Sequence, residues 1–206
     1  MLSHTLSQQD REHGDKVFWQ LAVSLGVIVT AYFALVPYFG LNIAFHFYMM
    51  MWITMATAFN ISSGFSGYMP FGYVAFYGIG AFTTAILVKK LGWSVIAAVP
   101  MAGVAGVILS LLFAPTLRLS GIYFAIVSLA LAAICRLIIA NLPEEWTGGS
   151  FGLQLGSRAE PLNAFFLMMA VMLLAIASVL WMSRSRLGKA LKAVRDDPEA
   201  ASMMGV

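Results

Sequence analysis

A long stretch of the sequence carries no formal charge: between Val17 and Val88 there is no Asp, Glu, Lys or Arg. Across all 206 residues, 61% are hydrophobic and 10% are charged. Soluble domains carry about 25% charged residues, so this balance excludes a soluble fold. Because backbone in lipid must satisfy its own hydrogen bonds, we predict an all-α fold, a polytopic transmembrane helix bundle.

Six apolar segments divide the chain, each near the ~20 residues that a helix needs to cross the hydrocarbon core. Residues 1–16 form a polar N-terminal tail, residues 17–182 the predicted membrane bundle, and residues 183–206 a basic C-terminal segment. The second and third spans have an alternative interpretation as one helix followed by a re-entrant piece. The predicted spans are Val17–Phe39, Leu41–Ile61, Tyr68–Val88, Trp93–Phe113, Ile122–Ala140 and Pro161–Met182.

The basic residues outside the spans predict the orientation of the bundle. With six spans both termini lie on one side, which holds eight basic residues, while the other side holds Lys89, Lys90 and Arg158. Since Lys and Arg are enriched in cytoplasmic loops, we expect both termini in the cytoplasm. The eight are Arg11, Lys16, Arg118, Arg184, Arg186, Lys189, Lys192 and Arg195.

Glycine is concentrated between Gly64 and Val88, in the third predicted span and just before it. In lipid, small residues let helices approach closely, so we predict this span to be the most tightly packed. The glycines before Gly72, together with Pro70, predict a broken or late-starting helix, although simple glycine-rich packing explains them equally well. The small residues predicted to pack are Gly72, Ala75, Gly78, Gly80, Ala81 and Ala85.

Few polar residues lie within the predicted spans. Thr54, Thr57 and Asn60 share one face of the second span. They either line a path through the membrane or, as we favour, bond to other helices or to their own backbone. Arg136, near the end of the fifth span, either snorkels to the interface, slightly the better interpretation, or faces the bundle as a functional residue.

The sequence shows no arrangement of residues typical of an enzyme. It has no catalytic constellation and no P-loop, and Gly78-x-Gly80 has no strand–turn–helix context for a dinucleotide. His4 and His13 have no neighbouring metal ligands, and the single cysteine, Cys135, excludes an intramolecular disulfide. We therefore expect no enzyme activity, no metal, no cofactor and no nucleic-acid partner. Any ATP that drives the protein binds to another chain.

The C-terminal segment predicts two short helices. Apolar residues at helical spacing from Leu187 to Val194 form a stripe beside a basic row, typical of a helix at a membrane or protein surface. Asp197 then fits an N-cap, Pro198 the first helical position and Gly205 a C-terminal residue with positive φ. A helix resting on lipid does not need the second, capped helix, so this element favours docking to a protein.

The same segment carries a resemblance to a known family. Glu199-Ala200-Ala201-x-x-x-Gly205 resembles the EAA loop of ABC importer permeases, the segment that docks on the ATPase subunit. Together with GKALKAVRDDPEAASMMGV, the phrases FGYVAFYGIGAF, LRLSGIYFAIVSLALAAICR and TGGSFGL resemble the LivM-type permease of branched-chain amino acid ABC transporters. The resemblance covers roughly residues 50–206, with these phrases in the family's order.

The resemblance implies a membrane subunit of an ATP-driven importer for branched-chain or related amino acids, in a bacterial inner membrane. Its implied partners are ABC ATPase subunits, a second permease subunit of the LivH type, a periplasmic substrate-binding protein and membrane lipid. The alternatives are a permease for urea or short amides, a secondary transporter or channel, and a scaffold that does not transport. The residues implied to couple to the ATPase are Asp197, Pro198, Glu199, Ala200, Ala201 and Gly205.

The chain departs from the family's pattern in two respects. The family often has Gln, Ser and His where this chain has Tyr68, Pro70 and Tyr73, and often Glu where Ala133 stands. Substrate contacts are therefore not carried over from the family. Family members also continue past the EAA loop with further spans, whereas this sequence stops at Val206, so we expect the front part of a permease.

Overall fold

The structure, a computed structural model, describes residues 20–21, 23–119, 121–149, 152–153 and 161–205. Throughout these ranges the regular structure is helical, which confirms the predicted all-α fold. The predictions for residues 1–16, with His4 and His13, and for Arg158 lie outside the described residues. The elements are α1 (Val23–Leu35), α2 (Ile43–Asn60), a π-helix (Ile61–Ser66), α3 (Tyr73–Lys90), α4 (Val95–Phe113), a 3-10 helix (Ala114–Arg118), α5 (Gly121–Asn141), α6 (Glu144–Thr147), α7 (Pro161–Arg184), α8 (Arg186–Asp196) and α9 (Pro198–Met203).

Polar residues and a glycine define several helix ends. The Asn42 side chain accepts a hydrogen bond from the Phe45 amide at 3.1 Å and so begins α2. Ser94 begins α4 in the same way, through the Ala97 amide at 3.3 Å. Each cap satisfies an amide that has no partner inside its helix. After α3, Gly92 has a φ of +69°, a conformation that ends the helix and favours glycine.

Among the described helices, three are long and apolar enough to cross a membrane: Val95–Arg118, Gly121–Asn141 and Pro161–Arg184. They coincide with the fourth, fifth and sixth predicted spans. The earlier predicted spans contain shorter helices, since α2 and α3 have 18 residues each. At 1.5 Å per residue such a helix is ~27 Å long, slightly less than the ~30 Å of a hydrocarbon core. The total of six crossings therefore stays a prediction.

The first group of packed helices consists of α1, α2 and α7. They meet around a cluster of large apolar side chains, each at most 2% exposed. In lipid such a cluster is stabilised by close van der Waals contact rather than by removal from water. Its members are Phe33, Val36, Met50, Phe165 and Met172.

His46 is a buried histidine beside this cluster. Its Nδ1 lies 2.8 Å from the Asn42 carbonyl oxygen, and its Nε2 lies 2.9 Å from the Tyr32 hydroxyl. Because a carbonyl only accepts, Nδ1 carries the proton and Nε2 accepts from the hydroxyl. The imidazole thereby joins α1 to α2 and has both nitrogens satisfied.

The second group consists of α3, which packs against α4 and α5, and of α6, which lies against α3 and α5. The Tyr68 hydroxyl donates to the Leu117 carbonyl at 3.3 Å, so the ends of α2 and α4 lie together. Helix α8, which follows α7, contacts the π-helix at the end of α2. Since α2, α4 and α7 all end on one side, neighbouring long helices alternate in direction, as the short connections predict.

The small residues predicted to pack closely fall into two sets. Gly72 and Ala75 are buried. In contrast, Ala81 is exposed, and a Cβ added at Gly78 or Gly80 would meet no atom within 4 Å. No described element packs closely on these three positions, so close packing there stays a prediction. The buried residues of α3 are Ala75, Ala85 and Val88, so the predicted stripe diverges from the packed face in the middle of the helix.

The hydroxyl groups inside the helices bond mainly to their own helix. Thr30, Thr54, Thr57, Thr84 and Ser178 each donate to the carbonyl four residues earlier, at 2.7–2.9 Å. A hydroxyl bonded in this way is satisfied in lipid without a second helix. The bonds to their own helix that we favoured for Thr54 and Thr57 are present, and a role in a path through the membrane stays a prediction.

Candidate functional site

Regular α-helix is interrupted between α2 and α3. The π-helix (Ile61–Ser66) continues α2 and ends at Gly67, whose φ is +74°. The next helix begins at Tyr73 rather than at the predicted Tyr68. Gly67 adopts a conformation that favours glycine, and Pro70 has no amide to donate, so the sequence explains why helix stops here. The predicted late-starting helix is confirmed.

Helix α5 covers this irregular segment at Gly72, just before α3 begins. The Gly72 amide lies 3.4 Å from the Ser128 hydroxyl oxygen, and Ser128, on α5, is 1% exposed. A Cβ added at Gly72 would overlap the Ser128 carbonyl. Glycine is thus required because two backbones approach closely, and the approach shields non-helical polar backbone from lipid.

A cavity of about 480 Å³ lies beside the interrupted segment, between α2, α3, α4 and α5. Its volume is within the range of about 300–1,000 Å³ that is typical of small-molecule sites. Its walls are aromatic, aliphatic and hydroxyl-bearing, and among the described residues none that lines it is charged. The lining consists of Thr54, Met55, Ala58, Phe59, Ser62, Pro70, Gly72, Tyr73, Phe76, Tyr77, Ser110, Phe113, Ala114, Thr116, Leu117, Phe124 and Ser128.

Three hydroxyl groups in this cavity already donate to backbone carbonyls, so they offer acceptors to a solute. Ser110, Thr116 and Ser128 each donate to the carbonyl three residues earlier in the chain, at 2.7–2.9 Å. Their oxygens can still accept a hydrogen bond, and the surrounding rings and methyl groups contact apolar surface. Because burying an unpaired charge is costly, this lining suits aliphatic or uncharged groups better than a carboxylate or an ammonium group.

The polar residues for which a path through the membrane was one interpretation do not all lie together. Thr54 lines the cavity, whereas Thr57 and Asn60 face a shallow groove between α2 and α7. Arg136 is exposed on α5 and lines neither hollow. A single path shared by these side chains is therefore not formed by the described residues. Exposure of Arg136 agrees with the snorkelling interpretation.

The C-terminal segment forms the short capped helix that its residues predict. The Asp197 carboxylate accepts hydrogen bonds from the Glu199 amide at 3.0 Å and the Ala200 amide at 3.1 Å. Pro198 begins α9, and Gly205 has a φ of +78° just beyond its end. Both ends of α9 are thus fixed by local interactions, which compensates for its short length.

Helix α9 packs against α8 and presents most of its surface outward. Ala201 is 5% exposed, whereas Glu199 and Ala200 are exposed. Two methionines at its end, Met203 and Met204, are 88% and 86% exposed. The outward surface therefore combines an acidic first turn with adaptable apolar side chains.

Helix α8 is held against the π-helix by two cationic side chains. The Arg195 guanidinium donates from Nη1 to the Gly64 carbonyl at 2.7 Å. The Lys192 ammonium lies 5.4 Å from the centre of the Phe65 ring, within cation–π range. One turn earlier, Gly188 is buried, and a Cβ there would lie 3.3 Å from the same ring. These contacts occupy one face of α8.

Sequence reasoning did not find this face. It placed Lys192 and Arg195 in a basic row and Leu187 in an apolar stripe at a membrane or protein surface. In the structure the cations contact the π-helix, and Leu187 is 60% exposed. The carbonyl that binds Arg195 is 131 residues away in the chain. A cation bonded to a backbone carbonyl leaves no side-chain pattern at the partner, so the sequence contains no signal for the pair.

The loop after α5 folds back on the bundle through α6. Thr147 is 1% exposed, and its hydroxyl oxygen accepts a hydrogen bond from the Gly149 amide at 3.2 Å. Gly148 and Gly149 have φ values of +71° and +57°, which this tight turn requires. Thr147-Gly148-Gly149 opens the phrase TGGSFGL, of which Ser150 and Phe151 lie outside the described residues.

These features define a helical membrane protein with an interrupted helix beside an uncharged cavity and a two-helix tail docked on the interruption. The profile of one protein family, described as "Branched-chain amino acid transport system / permease component", matches residues 41–206. The chain belongs to this family, and the resemblance found in its motifs is confirmed.

Two curated relatives are the high-affinity branched-chain amino acid transport system permease proteins LivM of Salmonella typhimurium (strain LT2) and Escherichia coli (strain K12). Each is 30% identical to the chain over 189 residues. The match covers 76% of this chain and 44% of each relative, so the chain spans less than half of their length. No solved structure shows a significant match to the chain.

Proposed function

We propose that this chain is the membrane-spanning permease subunit of an ATP-driven ABC importer for branched-chain amino acids. Family membership and the likeness to LivM support the transport of branched-chain amino acids. The observation that carries the ATP-driven part is the tail, because α9 is capped by Asp197, followed by Gly205 with positive φ, and exposed on its outer side.

In this proposal, ATP is hydrolysed by separate ATPase subunits that bind α9, so the chain needs no catalytic residue and no cofactor. A second permease subunit of the LivH type completes the pathway, and a periplasmic protein delivers the substrate. Closure of the ATPases pushes α9, and fixed helix ends transmit the push to α8 instead of fraying. The residues of this coupling segment are Asp197, Pro198, Glu199, Ala200, Ala201 and Gly205.

A second candidate substrate class is urea or short amides. It is favoured by the cavity, whose lining holds no charged residue, because a neutral solute needs no countercharge. A branched-chain amino acid fits the same walls only through its aliphatic side chain. Competition separates the two: uptake of labelled leucine in the assembled transporter is expected to fall with excess valine and to be insensitive to excess acetamide. Inhibition by acetamide alone would favour the amide class.

We also propose that the end of the bundle holding the π-helix, the 3-10 helix and α8 faces the cytoplasm. Support comes from Arg118, Arg184 and the basic residues of α8, which are all at or beyond this end. Cysteines introduced by Ser202→Cys and by Glu145→Cys, each with Cys135→Ala, test this with an impermeant thiol reagent on intact cells. We expect labelling of the Glu145→Cys variant only, and the opposite pattern would reverse the orientation.

The coupling role of α9 is tested in the assembled transporter with Gly205→Val and Glu199→Lys. Valine at a φ of +78° is strained and should unwind the end of α9, while Glu199→Lys reverses the charge of its first turn. We expect both variants to lose capture of the ATPase and substrate uptake, each normalised to permease in the membrane.

The matched control is Gly205→Asn, because asparagine tolerates positive φ better than other residues with a Cβ. It should retain more ATPase capture than Gly205→Val. If both test variants captured the ATPase and took up substrate at the unmutated level, the tail would be a helix at the lipid surface with no coupling role. Uptake that persists without any ATPase subunit would instead identify a secondary transporter or channel.

A further inference from the structure

The side chain of Arg195, a residue of α8, lies at the C-terminal end of the π-helix. Gly64 lies in the last turn of the π-helix, where backbone carbonyls lack a partner inside the helix. The Arg195 guanidinium donates to the Gly64 carbonyl at 2.7 Å and brings a positive charge to a helix C-terminus, where it is favoured. The end of the π-helix is therefore bonded by a residue of α8, the helix that precedes the proposed docking segment.

Asp196 orients this guanidinium. Its Oδ1 accepts from Arg195 Nε at 3.1 Å and from Nη2 at 3.0 Å, which leaves Nη1 directed at Gly64. The two side chains are 41% and 69% exposed, so the ion pair itself contributes little stability. Its effect is to fix the direction of the donor, and the planar guanidinium suits that task better than an ammonium group.

Further contacts on the same face of α8 join this helix to the π-helix, so the two do not move independently. Gly188, Lys192 and Arg195 are spaced by four and three residues, so they lie along one helical face. Lys192 lies over the ring of Phe65, which is 6% exposed, and Arg195 bonds to Gly64. A Cβ added at Gly188 would lie 3.3 Å from the same ring. A shift of α8 along or around its axis therefore displaces the π-helix.

The opposite side of the same segment forms the wall of the cavity. Ser62, in the π-helix, and Pro70 and Gly72, in the turn that follows, line the cavity. None of the residues of α8 or α9 lines it. A movement of the tail thus reaches the cavity through the π-helix. π-Helical segments are uncommon and often lie at functional sites, because their widened turn is easily rearranged.

We infer that Arg195 is a positioning residue that transmits movement of the tail helices to the cavity wall by holding the last turn of the π-helix. The inference rests on the proposed function, since it takes the ATPase to be the source of the movement. Arg195 lies outside the α9 docking surface, so binding of the ATPase and the response of the cavity depend on different residues. Binding of the ATPase depends on α9, whereas the response of the cavity depends on the bond between Arg195 and Gly64.

A reporter thiol in the cavity wall tests the inference in the assembled transporter. Ser62→Cys, combined with Cys135→Ala, provides the parent, and the rate of modification by a small methanethiosulfonate is measured with and without a non-hydrolysable ATP analogue. We expect the nucleotide to change the parent rate about fivefold or more, the lower end of typical coupling between sites. Arg195→Gln should abolish this change while ATPase capture is unaltered.

Two further variants complete the test. Arg186→Gln removes a positive charge from an exposed position of α8 and should behave as the parent. Arg195→Lys retains a donor without the fixed geometry, so it should restore part of the nucleotide response. It also takes the place of Arg195→Gln if that variant does not reach the membrane, and a full parental response in Arg195→Lys would then count against the inference.

Each remaining outcome also decides the question. A full nucleotide response in Arg195→Gln, or a parent thiol that ignores the nucleotide, would overturn the transmission role. Loss of ATPase capture in Arg195→Gln would overturn it as well, because Arg195 would then belong to the docking surface. A parent that captures no ATPase at all would refute the proposed function itself, a result distinct from these.

Discussion

The glycine-rich stretch between Gly64 and Val88 contains two kinds of glycine that look alike in the sequence. Gly67 and Gly72 lie in the interrupted segment, where a Cβ would meet the Arg195 side chain at 2.6 Å or overlap the Ser128 backbone. Gly78 and Gly80 lie one to two turns into α3, where a Cβ would meet nothing within 4 Å. The comparison teaches that glycine content indicates conformational freedom, while close packing depends on what the fold brings opposite each glycine.

The largest expected effect is that of Gly72→Ala. Its Cβ would overlap a backbone carbonyl, which cannot move aside as a side chain does, so the cost should reach ~1–3 kcal/mol or more. We expect a lower melting temperature in detergent and less protein in the membrane. Gly78→Ala is the matched control. A parental melting temperature for Gly72→Ala would contradict the close approach of α5 to this segment.

Gly67→Ala should have an intermediate effect. A residue with a Cβ at a φ of +74° is strained by ~1–2 kcal/mol, and here the methyl group would also displace Arg195. We expect a smaller loss of thermal stability than for Gly72→Ala. Gly67→Asn should relieve part of the backbone strain but still crowd Arg195. Equal stability of Gly67→Ala and the parent would show that this turn is not left-handed.

The smallest expected effect, and of opposite sign, is that of Gly78→Ala and Gly80→Ala. In the open middle of a helix, alanine is favoured over glycine by up to ~1 kcal/mol, so each variant should melt at or slightly above the parental temperature. Measuring the permease alone and in the assembled transporter sharpens the comparison. A loss confined to the assembly would mean that another chain packs on this face, which would restore the predicted packing role in a different setting.

Local features of the chain were predictable because their causes lie within a turn or two. Helix-forming apolar segments, the break near Pro70 and the cap at Asp197 each depend on neighbouring residues. The site itself was less accessible to prediction, because its defining contacts join distant residues. Gly72 meets a residue 56 positions later, and Arg195 meets one 131 positions earlier.

Two sequence patterns did not indicate their neighbours, for the same physical reason. Gly78, Gly80 and Ala81 share the small side chains that close packing requires, but a helical wheel does not say which direction faces a neighbour. Likewise, the basic residues of α8 were assigned to a surface, since nothing at Gly64 or Phe65 marks a partner for a cation. In both cases the sequence pattern was compatible with several surroundings, and the tertiary arrangement selected one.

The hydroxyls that bond to their own helices have a mechanical consequence. When one helix slides or rotates past another, these bonds do not stretch, because donor and acceptor travel together. Resistance to this movement then comes mainly from van der Waals contacts between apolar side chains, and these contacts are replaced one by one as the helices slide. Two of the bonds between elements, those of His46 with Tyr32 and of Arg195 with Gly64, lie near helix ends. The helices of the bundle can therefore change their relative angle while the hydrogen bonds inside each helix stay intact.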